Sequence, residues 1–488
     1  MPVVAGVDSS TQSTKVVLHD ADTFATLGAG SSPHPPTHPP ISEHDPRRWW
    51  DALVEAFHAA VADSGVHHRD VKAISVAAQC HGLVAMDADG AVIRPAKLWN
   101  DTTSAPEMAW LLRQLPPAEW ARRTGSVPTA AFTVSKLLWL RRHEPAHFAA
   151  LATVLLPHDW LTWRLTGRKV SDRSEASGTG YFDASTGRYD TAILALIDDD
   201  VDWTPRVPTV LDPQTPAGHI SAEASRALGL GQDTVVGPGA GDQHASALGL
   251  GARTGDVVYV FGTSGVVFTT TDEPIRDSSG MVDGVADAAG GYLPLVSTLN
   301  AAKVTDTIAR LLGVDHDEFA RLALAGSAHA TTLVPYLDGE RKPNLPHATG
   351  TLTGLSNATT REDLARAAVE GVVFGLFRGQ EALQSAGAPL GGRTIVTGGA
   401  GRSPAYRQVL SDLTGRTVYV SPAHEPVADG AALQALACWS GRSITEVRNQ
   451  LASDPIPDLE PRSVTGRDAY ARYLSVSNWR GGDTREHP

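Results

Sequence analysis

Short apolar runs that end in turns of glycine, serine and threonine recur in both halves of the chain. In the first half, Val3–Asp8 and Lys15–His19 flank a hydroxyl-rich turn. In the second half, Val257–Phe261 and Val266–Thr270 flank the turn Gly262–Gly265. Runs of this length bounded by such residues predict two β-hairpins. Because the hairpins lie about half a chain apart, we favour a duplicated architecture with one hairpin per domain over two unrelated hairpins.

The pattern between the hairpins alternates helices with strands, which predicts an α/β protein. Residues 29–46 are rich in proline, histidine and serine and predict an exposed loop, after which Asp45 and Pro46 open a helix. Val71–Ala77 has the composition of a buried strand, and Ser135–His143 has helical spacing.

A strand, a glycine turn and a helix follow one another near residue 400. Thr394–Thr397 is a β-type run, Gly398–Gly401 breaks it, and Ser403–Leu413 has a helical pattern. Such a turn presents backbone N–H groups to an anion, so we expect it to contact a nucleotide. Upstream, Thr359 and Glu362 have capping-box spacing and predict the start of another helix.

Length and charge narrow the class of protein. A chain of 488 residues exceeds one ordinary core, so we expect two domains, at 1–246 and 247–480, and a disordered polar tail at 481–488. A net charge of −13 without a basic stripe argues against nucleic acid as a partner. The two cysteines predict no disulfide framework, and the lack of a membrane-length apolar run or charged leader predicts a cytoplasmic protein without a membrane partner. The oligomeric state is left open, with a homodimer as one option.

Asp242 is the strongest candidate for chemistry. It lies in the run GPGAGDQHASALGL at 237–250, among glycines and small residues where a ligand can approach the backbone. Viewed alone, Asp242 is an N-terminal cap of the helix Gln243–Leu250. Beside two turns that could grip phosphates, it suits the general base of a kinase, which accepts the proton of a substrate hydroxyl.

A phosphate site needs a metal ion and hydrogen-bond donors. Asp8, at the end of the first strand, is placed to hold Mg²⁺ through water. Hydroxyls and amides of the two hairpin turns would surround the β- and γ-phosphates of ATP, and the residues concerned are Ser10, Thr11, Gln12, Ser13, Gly262, Thr263, Ser264 and Gly265. Lys15 could add positive charge or be a solvated strand residue, and the sequence does not separate these two roles.

Polar residues at the ends of two apolar runs form a candidate sugar site. Gln79 and His81 follow one run, and Asn100 and Asp101 follow another. Ligands gather at such strand ends in α/β folds, so these side chains could bind several hydroxyls of a sugar, and Trp99 could stack on it. The alternatives are an ordinary turn histidine and a core tryptophan.

Other catalytic classes lack their motifs. The sequence has no zinc-like spacing of cysteine and histidine, no G-x-x-x-x-G-K-[ST] loop and no GxSxG elbow, which argues against a zinc enzyme, a P-loop enzyme and a serine hydrolase. The charged turn Asp338–Arg341 could close over the sugar site or form a surface salt bridge, and both options stay open.

These residues resemble the FGGY carbohydrate kinase family, whose fold is a duplicated actin/hexokinase-like (ribonuclease H-like) ATPase of two domains with a cleft between them. The resemblance runs from Val4 to about Ala437. Residues 133–143, TVSKLLWLRRH, resemble one family signature, with Ala131 as a departure at its start. Residues 350–370, GTLTGLSNATTREDLARAAVE, match a second signature.

Three further segments are similar to the branch of the family that phosphorylates xylulose. They are SEHDPRRWW at 42–50, AAQCHG at 77–82 and LWND at 98–101. A position that is often methionine in this branch is Cys80 here, and the resemblance assigns Cys80 and His81 to ketose binding. It makes Asp242 the proton acceptor and Asp8 the phosphate and metal residue, and it assigns the adenosine site to Gly398, Gly399, Ala400 and Ser403.

The resemblance implies that ATP and D-xylulose give ADP and D-xylulose 5-phosphate. One alternative is a kinase for ribulose, glycerol or another pentulose or polyol. A second alternative, from a different class, is a non-enzymatic ATP-binding module of the actin or chaperone type. The residues alone, without the resemblance, support only a kinase-like ATPase that acts on a polyol.

Overall fold

The computed structural model describes residues 1–327, 331–345, 347–452, 454–462 and 466–477. The predicted tail at 481–488 therefore lies outside the described residues. In chain order the strands are β1 Val3–Ser9, β2 Ser13–Asp20, β3 Thr26–Pro33, β4 Glu43–His44, β5 Val71–Ala78, β6 Val84–Met86, β7 Ala96–Lys97, β8 Thr153–Leu155, β9 Val170–Asp172, β10 Phe182–Asp183, β11 Arg188–Tyr189, β12 Thr209–Leu211, β13 Gly218–His219, β14 Val235–Val236, β15 Ala240–Gly241, β16 Val257–Phe261, β17 Gly265–Thr269, β18 Asp283–Ala286, β19 Tyr292–Thr298, β20 Thr332–Val334, β21 Thr351–Thr353, β22 Thr394–Thr397, β23 Val418–Val420 and β24 Ile456–Leu459.

The helices complete the α/β architecture that the sequence predicts. In chain order they are α1 Pro46–Ser64, α2 Ala105–Gln114, α3 Pro117–Thr124, α4 Thr133–His143, α5 Pro145–Ala150, α6 Pro157–Thr166, α7 Arg173–Ser177, α8 Thr191–Ala195, α9 Ala222–Leu228, α10 Asp242–Gly249, α11 Ala302–Leu312, α12 His316–Ala325, α13 Arg361–Ser385, α14 Pro404–Thr414, α15 Pro426–Ser440, α16 Ile444–Leu451 and α17 Gly466–Ser477.

The chain forms two compact units that are not contiguous in sequence. The first unit contains Met1–Ala252, Thr270–Pro294 and Ala423–Asp454. The second contains Arg253–Thr269, Leu295–Pro422 and the described residues from Pro455 onward. The border between residues 246 and 247 stays a prediction.

The first unit is built on a mixed sheet in the order β13-β14-β5-β1-β2-β3, with β15 also paired to β5. β1 and β2 are antiparallel, which confirms the first predicted hairpin. β5 runs parallel to β1 and to β15, so all three strands end at the same edge of the sheet.

The predicted loop at 29–46 is wrong near both of its ends. β3 extends to Pro33 and pairs with β2 as an edge strand, and the short strand β4 pairs with β7. The sequence did not predict this part of β3, because its glycines are typical of a loop. Gly28 and Gly30 are needed here because the backbone of α1 lies where their side chains would be: a Cβ at Gly28 would lie 2.6 Å from the Ser64 nitrogen. Small residues thus let this strand pack closely on a helix, where bulkier residues would be expected in a strand.

α1 begins where the sequence predicts and covers the core of the first unit. Asp45 is its N-cap and accepts a hydrogen bond from the backbone N–H of Arg47, while Pro46 occupies the first turn. Trp49, Leu53 and Phe57 fall on one face and are fully buried against the sheet. Apolar residues at this spacing explain why the segment forms an amphipathic helix.

α15 packs against two elements of the first unit at positions where only glycine fits. A Cβ on Gly6 of β1 would clash with the carbonyl of Ala428, and a Cβ on Gly430 would clash with the carbonyl of Ala245 on α10. A Cβ on Gly249 of α10 would meet the backbone of Pro426. Backbone-to-backbone packing therefore fixes α10, which carries Asp242, against α15.

The second unit contains a mixed sheet in which β19, β17, β16, β22, β23 and β24 are consecutive neighbours. β16 and β17 are antiparallel, which confirms the second predicted hairpin, and β22 lies parallel to β16. α13 starts one residue later than predicted, because the capping box pairs Thr360 with Asp363 and not Thr359 with Glu362.

We expect Gly430→Ala to destabilise the protein, because its methyl group would enter the contact between α15 and α10. Overpacking of this kind costs about 1–3 kcal/mol, and each kcal/mol lowers the melting temperature by about 2–4 °C in a unit of this size. Thermal unfolding monitored by fluorescence measures the change. Gly391→Ala is the matched control, because nothing lies within 4 Å of its Cβ position. Equal melting temperatures for the two variants would contradict the glycine-packing argument.

Candidate active site

Three parallel strand ends bring the predicted catalytic residues to one edge of the first sheet. Asp8 of β1 pairs with Ala77 of β5, and Gly241 of β15 pairs with Ala78. Asp242 therefore follows directly after one strand end, and Gln79 and Cys80 follow directly after the strand between. Residues far apart in the sequence meet because parallel strands share their carboxyl edge.

Asp242 is the first residue of α10 and is partly buried. It is not the N-cap, which is Gly241, so the capping alternative is wrong. One carboxylate oxygen, Oδ1, accepts a hydrogen bond from the backbone N–H of Gln243 at 2.7 Å and faces the Cys80 thiol at 3.7 Å. Burial raises the pKa of Asp242 to about 6.

Asp8 is more deeply buried than Asp242, with 8% of its surface exposed. Its carboxylate accepts a short hydrogen bond from the Ser10 hydroxyl. Burial, together with the negative charge of Asp242, raises the pKa of Asp8 to about 7. Carboxylate oxygens are the donors that Mg²⁺ prefers, and a cation here would offset both the burial and the repulsion. The residues present therefore fit a magnesium ion.

Lys15 has a protein partner in the first unit. Its Nζ lies 2.7 Å from a carboxylate oxygen of Glu425, at the N-terminus of α15. Both side chains are more than a third exposed, so the pair contributes little to stability. Of the two roles considered for Lys15, the observed ion pair favours the strand residue.

Gln79 and Trp99 are joined through Thr11. The Trp99 indole N–H donates to the Thr11 hydroxyl at 2.8 Å, and that hydroxyl donates to Gln79 Oε1 at 3.3 Å. Three buried side-chain atoms of the candidate site have no hydrogen-bond partner: Gln79 Nε2, Asn100 Oδ1 and Gln243 Oε1. Buried polar atoms without partners are costly, so they indicate a polar ligand.

His81 has an unusual backbone conformation, with φ of 65°. Its Nδ1 lies 2.6 Å from the carbonyl of Gly178, so the ring donates a proton there. The ring also stacks on Phe132 with centroids 4.6 Å apart. A non-glycine residue in the left-handed region marks a position that its surroundings hold in place, and such positions cluster at functional sites.

Asp101 differs from the other predicted sugar residues, because both oxygens of its fully buried carboxylate have protein partners. Its carboxylate accepts hydrogen bonds from the Ser42 backbone N–H at 2.9 Å and from Lys97 Nζ at 3.1 Å. Burial opposes ionisation, but hydrogen bonds from Thr103 and Ser42 keep its pKa below the ordinary value. These partners give Asp101 a structural role in holding the turn after Trp99, and its contact with a sugar stays a prediction.

A buried ionic group behind the site was not predicted from the sequence. His158 lies 2.8 Å from Asp159 and 3.0 Å from Asp172, and all three side chains have no exposed surface. Burial opposes protonation of His158, but the neighbouring acids prevail and raise its pKa to about 9. Asp172 also caps α7 by accepting from the backbone N–H groups of Ser174 and Glu175. The imidazolium therefore fixes α7.

Cys80, Glu175 and His244 form a second unpredicted group. One ligand atom from each lies within 4.8 Å of the other two. The absence of zinc-like spacing in the sequence was therefore a poor guide, because the three residues come from different elements: the end of β5, α7 and α10. No signal in the sequence could have joined positions so far apart.

In the second unit, the two predicted nucleotide turns are neighbours. The hairpin turn 262–264 follows β16, and the glycine turn follows the parallel strand β22. Gly398 has φ of 89°, and a Cβ there would lie 2.6 Å from the carbonyl oxygen of Phe261. Ser403 is the N-cap of α14. The fold thus brings together Gly262, Thr263, Ser264, Gly265, Gly398, Gly399, Ala400 and Ser403.

The turn Asp338–Arg341 combines an anchored residue with a surface pair. Glu340 is buried and accepts hydrogen bonds from the Leu299 backbone N–H at 2.6 Å and from Asn300 at 3.0 Å. Asp338 pairs with Lys303 at 2.6 Å. The salt bridge that one alternative required is therefore present, and Glu340 attaches the turn to its own unit.

Within the described residues, no helix combines the length and apolar character that crossing a membrane requires.

The chain belongs to the FGGY family of carbohydrate kinases. Residues 3–249 match the N-terminal domain of this family and residues 257–439 match its C-terminal domain. The predicted family, its duplicated actin/hexokinase-like two-domain fold and the enzyme class are confirmed: the protein is a carbohydrate kinase that transfers phosphate to a sugar hydroxyl. ATP is the phosphate donor of the family. The alternative of a non-enzymatic ATP-binding module is wrong.

Relatives cover nearly the whole chain. A xylulose kinase of Streptomyces rubiginosus is 41% identical over 97% of this chain and 96% of its own length. A xylulose kinase of Streptomyces coelicolor is 42% identical over 94% of this chain and 93% of its own. The crystal structure of a xylulose kinase from Bifidobacterium adolescentis is 37% identical, has a TM-score of 0.84 and matches over 98% and 99% of the two chains.

We expect Asp8→Asn to stabilise the ligand-free protein at neutral pH and to have little effect in acid. The folded pKa of about 7 exceeds the ordinary value of 3.8, so the folded state binds the proton more tightly than the unfolded state. The Asp8 contribution to the free energy of unfolding therefore falls between about pH 4 and pH 7, and above pH 7 the full penalty is present.

Melting temperatures measured from pH 4 to pH 8 test this expectation. The melting temperature of the variant minus that of the wild-type protein should grow as the pH rises. Other titrating groups are common to both proteins, so their effects cancel in this difference. Asp22→Asn, at an exposed carboxylate, is the matched control and should show a constant difference. A stabilisation by Asp8→Asn that is independent of pH would refute the raised pKa.

Proposed function

We propose that this carbohydrate kinase phosphorylates D-xylulose to D-xylulose 5-phosphate with ATP, and that Asp242 is its general base. The substrate is supported by the names of relatives that cover nearly the whole chain at 41% and 42% identity. The single observation that carries the base is the position of Asp242, whose partly buried carboxylate follows β15 at the edge where β1 and β5 also end.

The environment of Asp242 suits a base. Its pKa of about 6 lies closer to neutral pH than that of an ordinary aspartate, so it is ionised at pH 7 and still a useful proton acceptor. The backbone N–H of Gln243 holds one oxygen at 2.7 Å, which orients the carboxylate. An alcohol does not ionise at neutral pH, so its proton must leave as the oxygen–phosphorus bond forms.

In the proposed reaction the terminal hydroxyl oxygen of xylulose forms a bond to the γ-phosphorus of ATP. The bond between that phosphorus and the β–γ bridging oxygen breaks, and ADP leaves with the bonding electron pair. Asp242 takes the hydroxyl proton. Mg²⁺ bound beside Asp8 would neutralise negative charge on the phosphates. Asp8 would hold the ion through water, and its carboxylate accepts a hydrogen bond from the Ser10 hydroxyl.

The turns that would hold the nucleotide present backbone donors. We assign the phosphates to Ser10, Thr11, Gln12 and Ser13 of one hairpin and to the 262–265 turn of the other, and the adenosine to the turn that begins at Gly398. This assignment is supported within the second unit by the close approach of Gly398 to Phe261, which leaves no room for a side chain. Glycine turns before a helix are a common site for phosphate groups.

The sugar-binding assignment is supported by polar atoms that lack protein partners. Gln79 Nε2 can donate to a sugar hydroxyl, while Asn100 Oδ1 and Gln243 Oε1 can accept from one. A sugar without these hydroxyls in the same places would leave them unsatisfied, which gives the site its selectivity. Cys80, His81 and Trp99 complete the proposed pocket.

Turnover with a panel of ketoses and polyols tests the substrate. We expect D-xylulose to give the highest kcat/KM in an ADP-release assay, above D-ribulose, L-ribulose, glycerol and gluconate, because the unpartnered polar atoms must all be satisfied at once. The background with ATP and water alone is the reference. A higher kcat/KM with another member of the panel would replace xylulose and leave the role of Asp242 standing.

We expect Asp242→Asn to lower kcat by about 10²–10⁴-fold while ATP binding persists, because the amide keeps the shape of the side chain and cannot accept the proton. Asp233→Asn, at an exposed carboxylate in the same segment, is the matched control and should keep wild-type kcat. In the wild-type protein kcat/KM should fall as the pH drops below about 6, since protonated Asp242 is no longer a base. Near-normal kcat for Asp242→Asn would remove the assignment.

A further inference from the structure

Three side chains near Asp242 carry potential metal-ligand atoms of three different kinds. Cys80 offers a sulfur, Glu175 a carboxylate and His244 an imidazole, and one atom from each lies within 4.8 Å of the other two. They come from separate elements, so the group depends on the tertiary fold and not on a local motif. The proposed phosphoryl transfer uses neither Glu175 nor His244.

Two of these side chains are buried and have no hydrogen-bond partner outside the group. Glu175 is 1% exposed and His244 is 4% exposed. Neither carboxylate oxygen of Glu175 and neither ring nitrogen of His244 has a partner of normal hydrogen-bond geometry. Leaving four such atoms unsatisfied is expensive, so their retention at one place indicates something that binds them.

The three ligand atoms crowd the backbone at Gly241. A Cβ at that position would lie within 2.7 Å of His244 Nδ1, Cys80 Sγ and Glu175 Oε1 together. The three atoms therefore converge from separate elements on one place and leave no room for a side chain at Gly241. Gly241 has φ of −69°, so its backbone conformation does not explain the glycine, whereas this crowding does.

We propose that Cys80, Glu175 and His244 form a binding site for a thiophilic divalent cation of the zinc class. A sulfur, an imidazole nitrogen and a carboxylate oxygen are the ligands that Zn²⁺ takes, whereas Mg²⁺ prefers oxygen alone. Three protein ligands leave a fourth tetrahedral position open for water. The site is thus distinct from the magnesium site assigned to Asp8.

The geometry needs only side-chain adjustment. Bonds of about 2.0–2.3 Å to Zn²⁺ put tetrahedral ligand atoms roughly 3.3–3.8 Å apart. Because the ligand atoms here lie within 4.8 Å of one another, they need to approach by no more than about 1–1.5 Å. Cys80 is partly exposed, which gives the ion a path of entry. On binding, the thiol loses its proton to solvent and its sulfur bonds to the metal.

Occupancy of this site would affect catalysis, and this consequence, unlike the site itself, rests on the proposed function. Cys80 Sγ lies 3.7 Å from Asp242 Oδ1. A cation bound to that sulfur would stand beside the proposed base, lower its affinity for a proton and so weaken it as a proton acceptor. We therefore expect Zn²⁺ to inhibit phosphoryl transfer at a concentration where one equivalent is bound.

Binding of Zn²⁺ alone to the full-length protein, without sugar or nucleotide, tests the site. We expect one tight equivalent by isothermal titration calorimetry. Cys80→Ser, Glu175→Gln and His244→Gln should each weaken it by at least about 10–100-fold, the loss seen when even an outer partner of a metal site is removed. Cys438→Ser, at the other free cysteine, and Asp199→Asn, in an exposed acidic group, are the controls and should bind as the wild-type protein does.

Co²⁺ provides a second readout that does not depend on affinity. A thiolate-to-cobalt absorption band should appear on the wild-type protein and on Cys438→Ser, and it should be absent from Cys80→Ser. Far-ultraviolet circular dichroism checks that each variant is folded, and Cys80→Ser is the variant of nearly conserved size. Absence of a tight equivalent on the wild-type protein, or wild-type affinity in all three ligand variants, would overturn the proposal.

The activity readout separates this proposal from the proposed function. Zn²⁺ binding with the expected variant pattern, on a protein that phosphorylates no sugar, would sustain the site and refute the kinase assignment for xylulose. Full activity on xylulose without any Zn²⁺ binding would do the reverse.

Discussion

The parallel register of β1, β5 and β15 is the constraint on which the proposed active site depends. It sets Asp8 beside Ala77 and Gly241 beside Ala78. The carboxylates of Asp8 and Asp242, which are far apart in the sequence, therefore lie at the same edge of the sheet. Burial raises the pKa of Asp242 to about 6, and burial together with the charge of Asp242 raises the pKa of Asp8 to about 7, so this arrangement of carboxylates is unfavourable in the ligand-free protein. Contacts elsewhere in the first unit must therefore offset the free energy that these buried carboxylates cost.

Much of that support is backbone packing and buried charge. Gly6, Gly249 and Gly430 allow α15 to lie directly on β1 and α10. On the other side of the site, the buried pairs of His158 with Asp159 and Asp172 fix α7. Breaking a buried ion pair leaves an uncompensated charge, which costs far more than the loss of an exposed pair such as Lys15 with Glu425. Rigid supports of this kind hold catalytic groups in a constant geometry.

The sequence was informative where function follows from local pattern. Both hairpins, the start of α1 and the strand–turn–helix unit near Gly398 follow from apolar runs and turn residues. Asp8 could be singled out because it ends the first apolar run, and Asp242 because it lies among glycines and small residues. β3 was missed because Gly28 and Gly30 look like loop residues until α1 is seen packed on them.

The remaining differences arise from tertiary contacts. Asp101 was grouped with sugar residues because it follows an apolar run, but Ser42, Lys97 and Thr103 occupy its carboxylate. Glu175 and His244 could not be joined to Cys80, because no spacing rule relates positions that only the fold brings together. The role of Lys15 was open because its partner Glu425 lies 410 residues away.

The return of residues 423–454 to the first unit has a consequence for biosynthesis. Gly6 on β1 lacks a side chain to bury, and α15 fills that space only after residue 440 has been made. The N-terminal sheet therefore emerges from the ribosome with an uncovered apolar face and stays so while most of the chain is translated. Separate expression of the N-terminal family domain would leave that face permanently bare, whereas a circular permutant that begins near residue 423 would deliver the covering helix first.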